Sequence, residues 1–448
     1  MRPTPITVSV PPHPPSDTER EILRRFRALP EDRLALFHLA AEIATAAGCD
    51  LYWVGGGVRD LWLGSSELDV DLVVDGELMP FAALLASRLG TGLHSHPQFM
   101  TAEINLASGI RVDLARARTE CYPAPASLPV VRPGSIASDF GRRDFTINCL
   151  AIPLAPAFGD CLLDPCNGLA DLLQGSLRTL HRDSFREDPT RLLRLVEFEI
   201  RFGFVTSTET LSEATRAVAS GVIGALSPAR LREALKRALG RAATAVRVLR
   251  RLRELHLLEA VDAGMKIGDG VQARLAAALR ETGEPSGAGR SVRPAETFHL
   301  ALLCLAFDLG SAERERLALR LELSAADCAL VTQGPERVRR ALSGLEPTTR
   351  PSAVHDLLGP LAEEELAVVA TQDENARSWV RRERFEMRSL RLSIGGKELL
   401  ATGVAAGPEL GRALDLTLRA RLDGRVGIGE ELSFALQVAA DGATEEDP

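Results

Sequence analysis

The sequence predicts an α+β chain: a small mixed-sheet head followed by all-helical neck, body and tail domains. Strand-like apolar runs alternate with helical stretches only between Leu51 and about Leu180, and after Asp183 the pattern is almost wholly helical. Aromatic residues make up 4% of the 448 residues while Arg, Leu and Ala are plentiful, which favours helices over a β-rich fold. A chain of this length at 45% hydrophobic content is long enough for several globular domains.

Residues 1–16 are proline-rich and poor in core-forming pattern, and are expected to be a disordered tail. Ser16-Asp17-Thr18-Glu19 has the form of a capping box, and residues 32–47 continue with helical periodicity. The head is placed at 17–182, the neck at 183–265, the body at 266–390 and the tail at 391–448. Gly283-Glu284-Pro285-Ser286-Gly287-Ala288-Gly289 is the clearest linker, and the Pro347 and Pro351 region is a second break.

The head carries the chemistry. Tyr52-Trp53-Val54 runs into Gly55-Gly56-Gly57-Val58-Arg59-Asp60, followed by Asp69-Val70-Asp71 in an apolar run. Alternate residues of a strand share a face, so Asp69 and Asp71 project together and repel each other. Divalent ions relieve that repulsion, and two Mg²⁺ ions roughly 3.5–4 Å apart suit a site that activates a hydroxyl and stabilises leaving pyrophosphate. Asp113, in Gly109-Ile110-Arg111-Val112-Asp113-Leu114, is the candidate third carboxylate. Glycine lets the main chain approach a triphosphate and present N–H groups, which makes Gly55, Gly56, Arg59 and Asp60 the candidate nucleotide contacts around the turn.

Two further segments interleave charge with apolar residues. In Asp139-Phe140-Gly141-Arg142-Arg143-Asp144-Phe145-Thr146-Ile147-Asn148 the arginine forks suit phosphate and ribose oxygens, and Asp144 and Asn148 would share a face if the segment is helical. A solvated, salt-bridged helix is the alternative. Phe185-Arg186-Glu187-Asp188-Pro189-Thr190-Arg191-Leu192-Leu193-Arg194 starts a helix, with Asp188 and Arg191 three apart on one face. A carboxylate and a guanidinium so placed suit the edge of a nucleobase, or else form a helix cap with an ion pair.

The order and spacing of these residues resemble the class II tRNA nucleotidyltransferase and bacterial poly(A) polymerase family, whose members build or repair the 3′-terminal CCA of tRNA. By that resemblance Gly56, Arg59, Asp69 and Asp71 fall on the triphosphate and metal motif. Arg142, Arg143, Asp144 and Asn148 fall on the ribose-selecting motif, and Glu187, Asp188, Arg191 and Arg194 on the amino-acid template for incoming CTP and ATP. Asp164-Pro165-Cys166-Asn167-Gly168-Leu169-Ala170-Asp171-Leu172 is similar to the flexible connecting motif. Leu226 to Glu233 resembles a neck segment, and Leu392 to Gly403 with Gly407-Pro408-Glu409-Leu410-Gly411 resembles the tail. Two positions depart from the pattern: Glu197 stands where many members have arginine, and Met100 where a glycine is common.

The resemblance implies a template-independent enzyme that adds C, A or both to a tRNA 3′ end from CTP and ATP, using two Mg²⁺ ions and releasing pyrophosphate. A poly(A) polymerase is the alternative within the chemistry. A non-catalytic RNA-binding relative is the alternative from another class, and the intact carboxylates and Arg191 argue against it. A metal-dependent phosphohydrolase domain finds only the lone dipeptide His355-Asp356.

The formal charge of −8 excludes a chain coated in positive charge and directs attention to local patches. Arg230, Arg232, Lys236, Arg237, Arg241, Arg247, Arg250, Arg251 and Arg253 crowd one region, and Arg230, Arg232, Lys236 and Arg237 are the candidate tRNA contacts there. Lys397, Gly407 and Gly411 are the candidates in the tail, where a tight turn precedes a helix start; an ordinary glycine cap is the alternative. The 7 cysteines show no paired framework; Cys161, Cys166 and His181 lack the C-x-x-C spacing of a structural zinc site, and His94 and His96 read as structural strand residues. No apolar run approaches the roughly 20 residues of a membrane helix, and no secretory signal is visible, so a cytoplasmic protein is expected.

Overall fold

The computed structural model describes residues 16–262, 265, 268, 270–282 and 294–443. The 283–289 linker and, apart from Ser16, the proline-rich tail lie outside the described residues. The chain forms two compact units, one of residues up to 234 with 254–261, the other of 235–253 with 262 onward. The division falls inside the segment expected to be the neck.

The first unit opens with helices α1 (Asp17–Arg27) and α2 (Glu31–Ala46), and the capping box is present: Ser16 accepts from the Glu19 N–H at 3.2 Å while Glu19 reaches back to the Ser16 N–H. Strand β1 (Asp50–Val54) leads into α3 (Gly56–Leu63), then come β2 (Val70–Asp75) and α4 (Leu78–Leu89). The short strands β3 (Leu93–His96) and β4 (Thr101–Asn105) and the longer β5 (Arg111–Arg116) follow. A separate hairpin of β6 (Arg118–Cys121) and β7 (Val130–Pro133) precedes α5 (Ile136–Gly141), and β8 (Ala151–Ala155) completes the main sheet, in the order β3-β4-β5-β2-β1-β8. The sheet is mixed, because β2 pairs parallel with β5 and the other neighbours are antiparallel.

Both faces of the sheet are covered, which explains why β2 reads as a nearly continuous apolar run. On one face Trp53 is fully buried among Phe26 and Phe37, with ring centroids 5.9 and 5.2 Å away. On the other, Tyr52, Val54 and Val73 pack with Ile136 and Phe140 of α5 and with Cys149, Ala151 and Leu163. Asp71 has the parity of Val73 and so belongs to this second face.

After β8 come α6 (Gly168–Gln174), the strand β9 (Ser176–Leu177), the single helical turn α7 (Ser184–Glu187), and α8 (Thr190–Phe202). The strand β10 (Val205–Thr206) pairs with β9 before α9 (Thr208–Ala219) and α10 (Pro228–Leu239). Beyond them the chain is helical: α11 (Ala242–Glu254), α12 (Leu257–Val261), α13 (Gly270–Thr282), α14 (Pro294–Ala306), α15 (Ser311–Arg320), α16 (Ala325–Gly344), α17 (Pro351–Leu358), α18 (Glu363–Val369) and α19 (Glu374–Arg382). In the second unit α13, α16 and α18 pack around α14, whose residues from Leu300 to Ala306 are all buried. The last three helices, α20 (Gly396–Ala401), α21 (Pro408–Leu422) and α22 (Glu431–Ala443), enclose a small core of Leu399, Ala413 and Ala435. No described helix is long and apolar enough to cross a membrane.

Met100 ends the turn Pro97–Phe99 with φ 53° and ψ 45°, a left-handed conformation that a side chain disfavours. The backbone asks for glycine where the sequence has methionine. Met100→Gly is expected to stabilise the protein by up to about 1 kcal/mol, strain relief exceeding the added entropy of the unfolded chain. Chemical denaturation of the two proteins checks it.

Candidate active site

The site begins where β1 turns into α3. Gly55 has φ 72° and ψ −125°, a backbone region closed to side chains, and an added Cβ would lie 2.7 Å from Arg143 Nη1. Gly57 allows the closest approach in the turn: a Cβ there would lie 2.3 Å from the Asp69 carbonyl oxygen and 2.5 Å from Trp53 Nε1. That indole donates to the same Asp69 carbonyl at 3.0 Å, so the buried aromatic cluster fixes the chain at the first carboxylate. Asp69 stands one residue before β2 starts and Asp71 inside it, so alternation still carries from one to the other. The Asp69 carboxylate also lies beside Gly56, 3.6 Å from where its Cβ would be.

Asp71 is largely buried, and among the described residues its carboxylate has no hydrogen bond and no ion pair. Burial first, then the fields of Asp69 and Asp113, push it up to about 6, against weaker opposing pulls from Arg143 and Arg111. Asp113 is directly abreast of Asp71 across the parallel β2–β5 pair. Its Oδ1 accepts from Arg111 Nε at 3.1 Å and Nη2 at 2.8 Å, so Arg111 already engages it. Among the described residues no three His, Cys, Asp or Glu side chains gather as a metal cluster. Two hard oxygen donors with uncompensated negative charge fit a Mg²⁺ ion that keeps positions for water and phosphate.

The neighbouring carboxylates are neutralised. Asp139 is fully buried; Arg142 Nε and Nη2 donate to its Oδ1 at 2.8 and 2.7 Å, and Arg143 Nη2 to its Oδ2 at 2.9 Å. Burial alone would raise this carboxyl, but the two guanidinium groups hold it below the usual range. Arg142 Nη1 also donates to Glu120 at 3.1 Å, and Arg143 Nη1 to the Asn148 carbonyl at 3.1 Å.

Asp144 accepts from the Asn148 amide and the Phe145 N–H, each at 2.8 Å, and from Arg194 Nε at 2.7 Å. Against its burial, Arg194, Asn148, Arg191 and that N–H together hold it well below the carboxylate range. The pairing of Asp144 with Asn148 is as expected but its basis is not: Phe145 is extended and Thr146–Asn148 is a 3₁₀ turn, not an α-helical face. Asn148 in turn accepts from Arg59, which is buried, pairs with Asp60 at 2.8 Å and lies over the ring of Phe202 at 4.7 Å. Asp60, also paired with Arg201 at 3.3 Å, is enclosed by its partners and anchors Arg59.

The base-reading candidates also differ from expectation. Asp188 has φ −130° and ψ 94° and stands outside the helix, because a residue preceding proline avoids the helical region. It does not share a helix face with Arg191; its Oδ1 accepts from the N–H at 3.0 Å and the hydroxyl at 2.6 Å of Thr190, the first residue of α8. Arg191 is buried and donates to Ser184 Oγ and to the Arg142 carbonyl, each at 2.6 Å. Glu187 lies 3.4 Å from His181 Nε2, and Glu197 is buried in α8.

Residues 51–178 match the poly A polymerase head domain. The CC-adding tRNA nucleotidyltransferase of Deinococcus radiodurans is 32% identical over 418 residues, covering 91% of this chain and 94% of that one. The chain belongs to the tRNA nucleotidyltransferase and poly(A) polymerase family. An A-adding tRNA nucleotidyltransferase of Geobacter sulfurreducens is 30% identical over 422 residues, 92% of this chain and 48% of that protein, so the chain spans about half the length of that relative. Among solved structures, the Thermotoga maritima CCA-adding enzyme complexed with tRNA superposes with a TM-score of 0.73 at 27% identity, covering 94% of this chain and 98% of that one.

This family member distributes its basic candidates unevenly. Arg230, expected to meet tRNA, is instead tied to the head: it donates to Asp188 Oδ1 at 2.7 Å and to the Ala126 carbonyl at 2.6 Å. Arg232 is half-buried, with Glu233 at 3.9 Å. In the second unit Lys236 and Arg237 are exposed, as are Arg241, Arg247 and Arg250; Lys397 on α20, Gly407 just before α21 and Gly411 within it are exposed in the tail. Sequence reasoning missed Gly57, Asp139 and Glu120 as site-building residues. Gly57 and Asp139 stood in the quoted glycine run and arginine segment, where Arg142 and Arg143 are only three and four residues from Asp139, whereas Glu120 meets Arg142 across 22 residues, a contact only folding makes.

Because Asp71 titrates higher in the folded protein than the usual 3.8 of a free aspartate, the folded state binds the extra proton, and this group costs stability as pH rises from about 4 to about 6. Asp71→Asn is therefore expected to be more stable than the metal-free wild type at pH 7, by roughly 2–3 kcal/mol, with the gap closing below pH 4. Denaturant melts in chelator across that range measure the gap.

Proposed function

We propose that the protein is a template-independent tRNA nucleotidyltransferase that adds C, A or both to the tRNA 3′ end from CTP and ATP. The observation that carries this is the Asp69 and Asp71 pair, left without a cationic partner beside a glycine turn, in a chain whose family relatives bear CC-adding and A-adding names. Two Mg²⁺ ions held by Asp69 and Asp71 would lower the barrier for the terminal ribose 3′-hydroxyl and stabilise the departing pyrophosphate. Asp113 flanks the pair and strengthens its negative field.

The chain's own residues supply position. Gly55 and Gly56 let the backbone present N–H groups to the triphosphate. Arg142 and Arg143, held by Asp139, place positive charge over phosphate and ribose, while Asp144, Asn148 and Arg194 form the polar wall for the sugar. Arg59 and Asp60 support that wall from behind. Asp188, with Glu187 and Arg191 around it, meets the base edge, since C and A both offer an exocyclic amine to a carboxylate. Lys236 and Arg237, with Lys397 and the turn at Gly407 to Gly411, are assigned to tRNA phosphates. We assign the enzyme to the cytoplasm, where this substrate is.

Asp69→Ala or Asp71→Ala should abolish nucleotide addition, a loss of about 10³-fold or more, while tRNA affinity stays within about twofold. Transcripts ending at the discriminator base, the first C or the second C, given CTP, ATP or both, read the outcome by product length. Turnover retained in either variant contradicts the assignment, and long adenylate tails on varied RNAs would favour a poly(A) polymerase.

A further inference from the structure

Two thiols meet beside the polar wall assigned to the sugar. Ala151 and Leu163 exchange backbone N–H donors at 3.0 and 2.8 Å, and farther along Gly168 comes so close to the Thr146 carbonyl that an added Cβ would collide with it. Between these two contacts the segments run antiparallel, which sets Cys149, two residues before Ala151, opposite Cys166, three after Leu163. Cys149 is fully buried in the cluster with Tyr52, Val54 and Phe140. Cys166 packs against that cluster with its thiol on that of Cys149, and part of its surface is open to solvent.

The pair is chemically asymmetric. The Cys149 thiol beside it holds the Cys166 thiol below its usual range, and Arg143 and Arg178 add to this against burial and Asp164. Burial first, then Cys166, pushes the Cys149 thiol up. Cys166 is therefore the residue that attacks a hydroperoxide. Its thiolate takes one oxygen of hydrogen peroxide and breaks the O–O bond, giving Cys166 sulfenic acid and, with the proton the thiol gave up, one water. The Cys149 sulfur then attacks the sulfenic sulfur, and its proton leaves with the hydroxyl as a second water. Two thiols are oxidised to one disulfide while one peroxide is reduced to two waters. Cys149 Sγ lies 3.6 Å from the carbonyls of Phe140 and Phe145. Each of these keeps a backbone donor, Arg143 at 3.2 Å and Asn148 at 3.0 Å, so neither is orphaned when the thiol proton is lost.

A disulfide sets its sulfurs about 2 Å apart, much closer than two unbonded thiols, so closing it draws the turn that ends at Cys149 toward Cys166. Asn148 sits in that turn, and its amide donates to Asp144 at 2.8 Å while its side-chain oxygen accepts from Arg59. We infer that Cys149 and Cys166 are a modification site at which a hydroperoxide forms a reversible disulfide, and that the bond shifts Asn148 and slows nucleotide addition. The effect on addition rests on the function proposed above; the disulfide itself does not.

The test treats the full chain, reduced and freed of reductant, with hydrogen peroxide, blocks the remaining thiols and maps the links by mass spectrometry. Cleavage before aspartate places Cys149, Cys161 and Cys166 on separate peptides, 144–159, 160–163 and 164–170. The expected product joins the first peptide to the third and leaves Cys161 blocked as a free thiol. Nucleotide addition to a tRNA transcript should fall about tenfold with the link, the scale of one hydrogen bond to a charged group, and return with dithiothreitol. Under the same oxidant Cys166→Ser should stay within about twofold of its own reduced rate, which separates this pair from the exposed Cys121. Cys149→Ala serves in its place if the serine variant melts early. No link, or a link through Cys161, overturns the site. A link that leaves the rate within about twofold, or an equal loss in Cys166→Ser, overturns its control of addition. A reduced wild-type protein that adds no nucleotide overturns the proposed function and that control with it, while the peptide masses still decide the disulfide.

Discussion

Burying a carboxylate costs several kcal/mol unless cations or hydrogen bonds offset it, and the head offsets that cost at Asp60, Asp139 and Asp144 but not at Asp71. Arg59 and Arg201 meet Asp60, two arginines clamp Asp139, and Arg194 with Asn148 satisfies Asp144. Asp71 instead faces Asp69 and Asp113, and among the described residues no arginine hydrogen-bonds it, Arg143 and Arg111 acting only through weaker fields. The difference separates supporting residues from the reacting centre. A fold that neutralised Asp71 as fully as Asp139 would be more stable and would have less negative charge to offer a cation.

Rigidity reaches this pair from both faces of the sheet. Stacked and tilted rings of Phe26, Phe37 and Trp53 hold an indole that hydrogen-bonds the Asp69 carbonyl, and Gly57 lets that carbonyl come close. From the other face, Arg143 is held by Asp139 and donates to the Asn148 carbonyl, and it leaves no room for a side chain at Gly55. The backbone at Asp69, the glycine turn and the arginines are thus tied by hydrogen bonds and close contacts from both sides of the carboxylate pair, the arrangement a transfer reaction needs if geometry is to carry much of the barrier reduction.

Much of this was legible in the sequence because it rests on local spacing. The alternation of Asp69 and Asp71, the glycine run and the capping box at Ser16 are set by near neighbours. Other readings failed where tertiary or backbone constraints intervened. Asp188 and Arg191 are three apart, yet Pro189 forces Asp188 out of the helix and breaks the shared face. Asp144 and Asn148 pair through an extended residue and a 3₁₀ turn, which spacing alone could not separate from a helix. Arg230 belonged to a basic run that suggested phosphate binding, but its partners are 42 and 104 residues away. Met100 is the reverse case: the expected glycine was flagged by pattern, and the left-handed backbone gives its physical reason.

The central claim is that Asp71 is kept uncompensated for a divalent cation. Carbon-13 NMR of aspartate carboxyls, assigned with the Asp71→Asn variant and titrated with and without Mg²⁺, tests it directly. The account predicts an Asp71 carboxyl titrating near 6 in the metal-free protein, and falling below the ordinary aspartate range when Mg²⁺ is added. An Asp71 signal that titrates as a free aspartate without metal, or that ignores Mg²⁺, would contradict it.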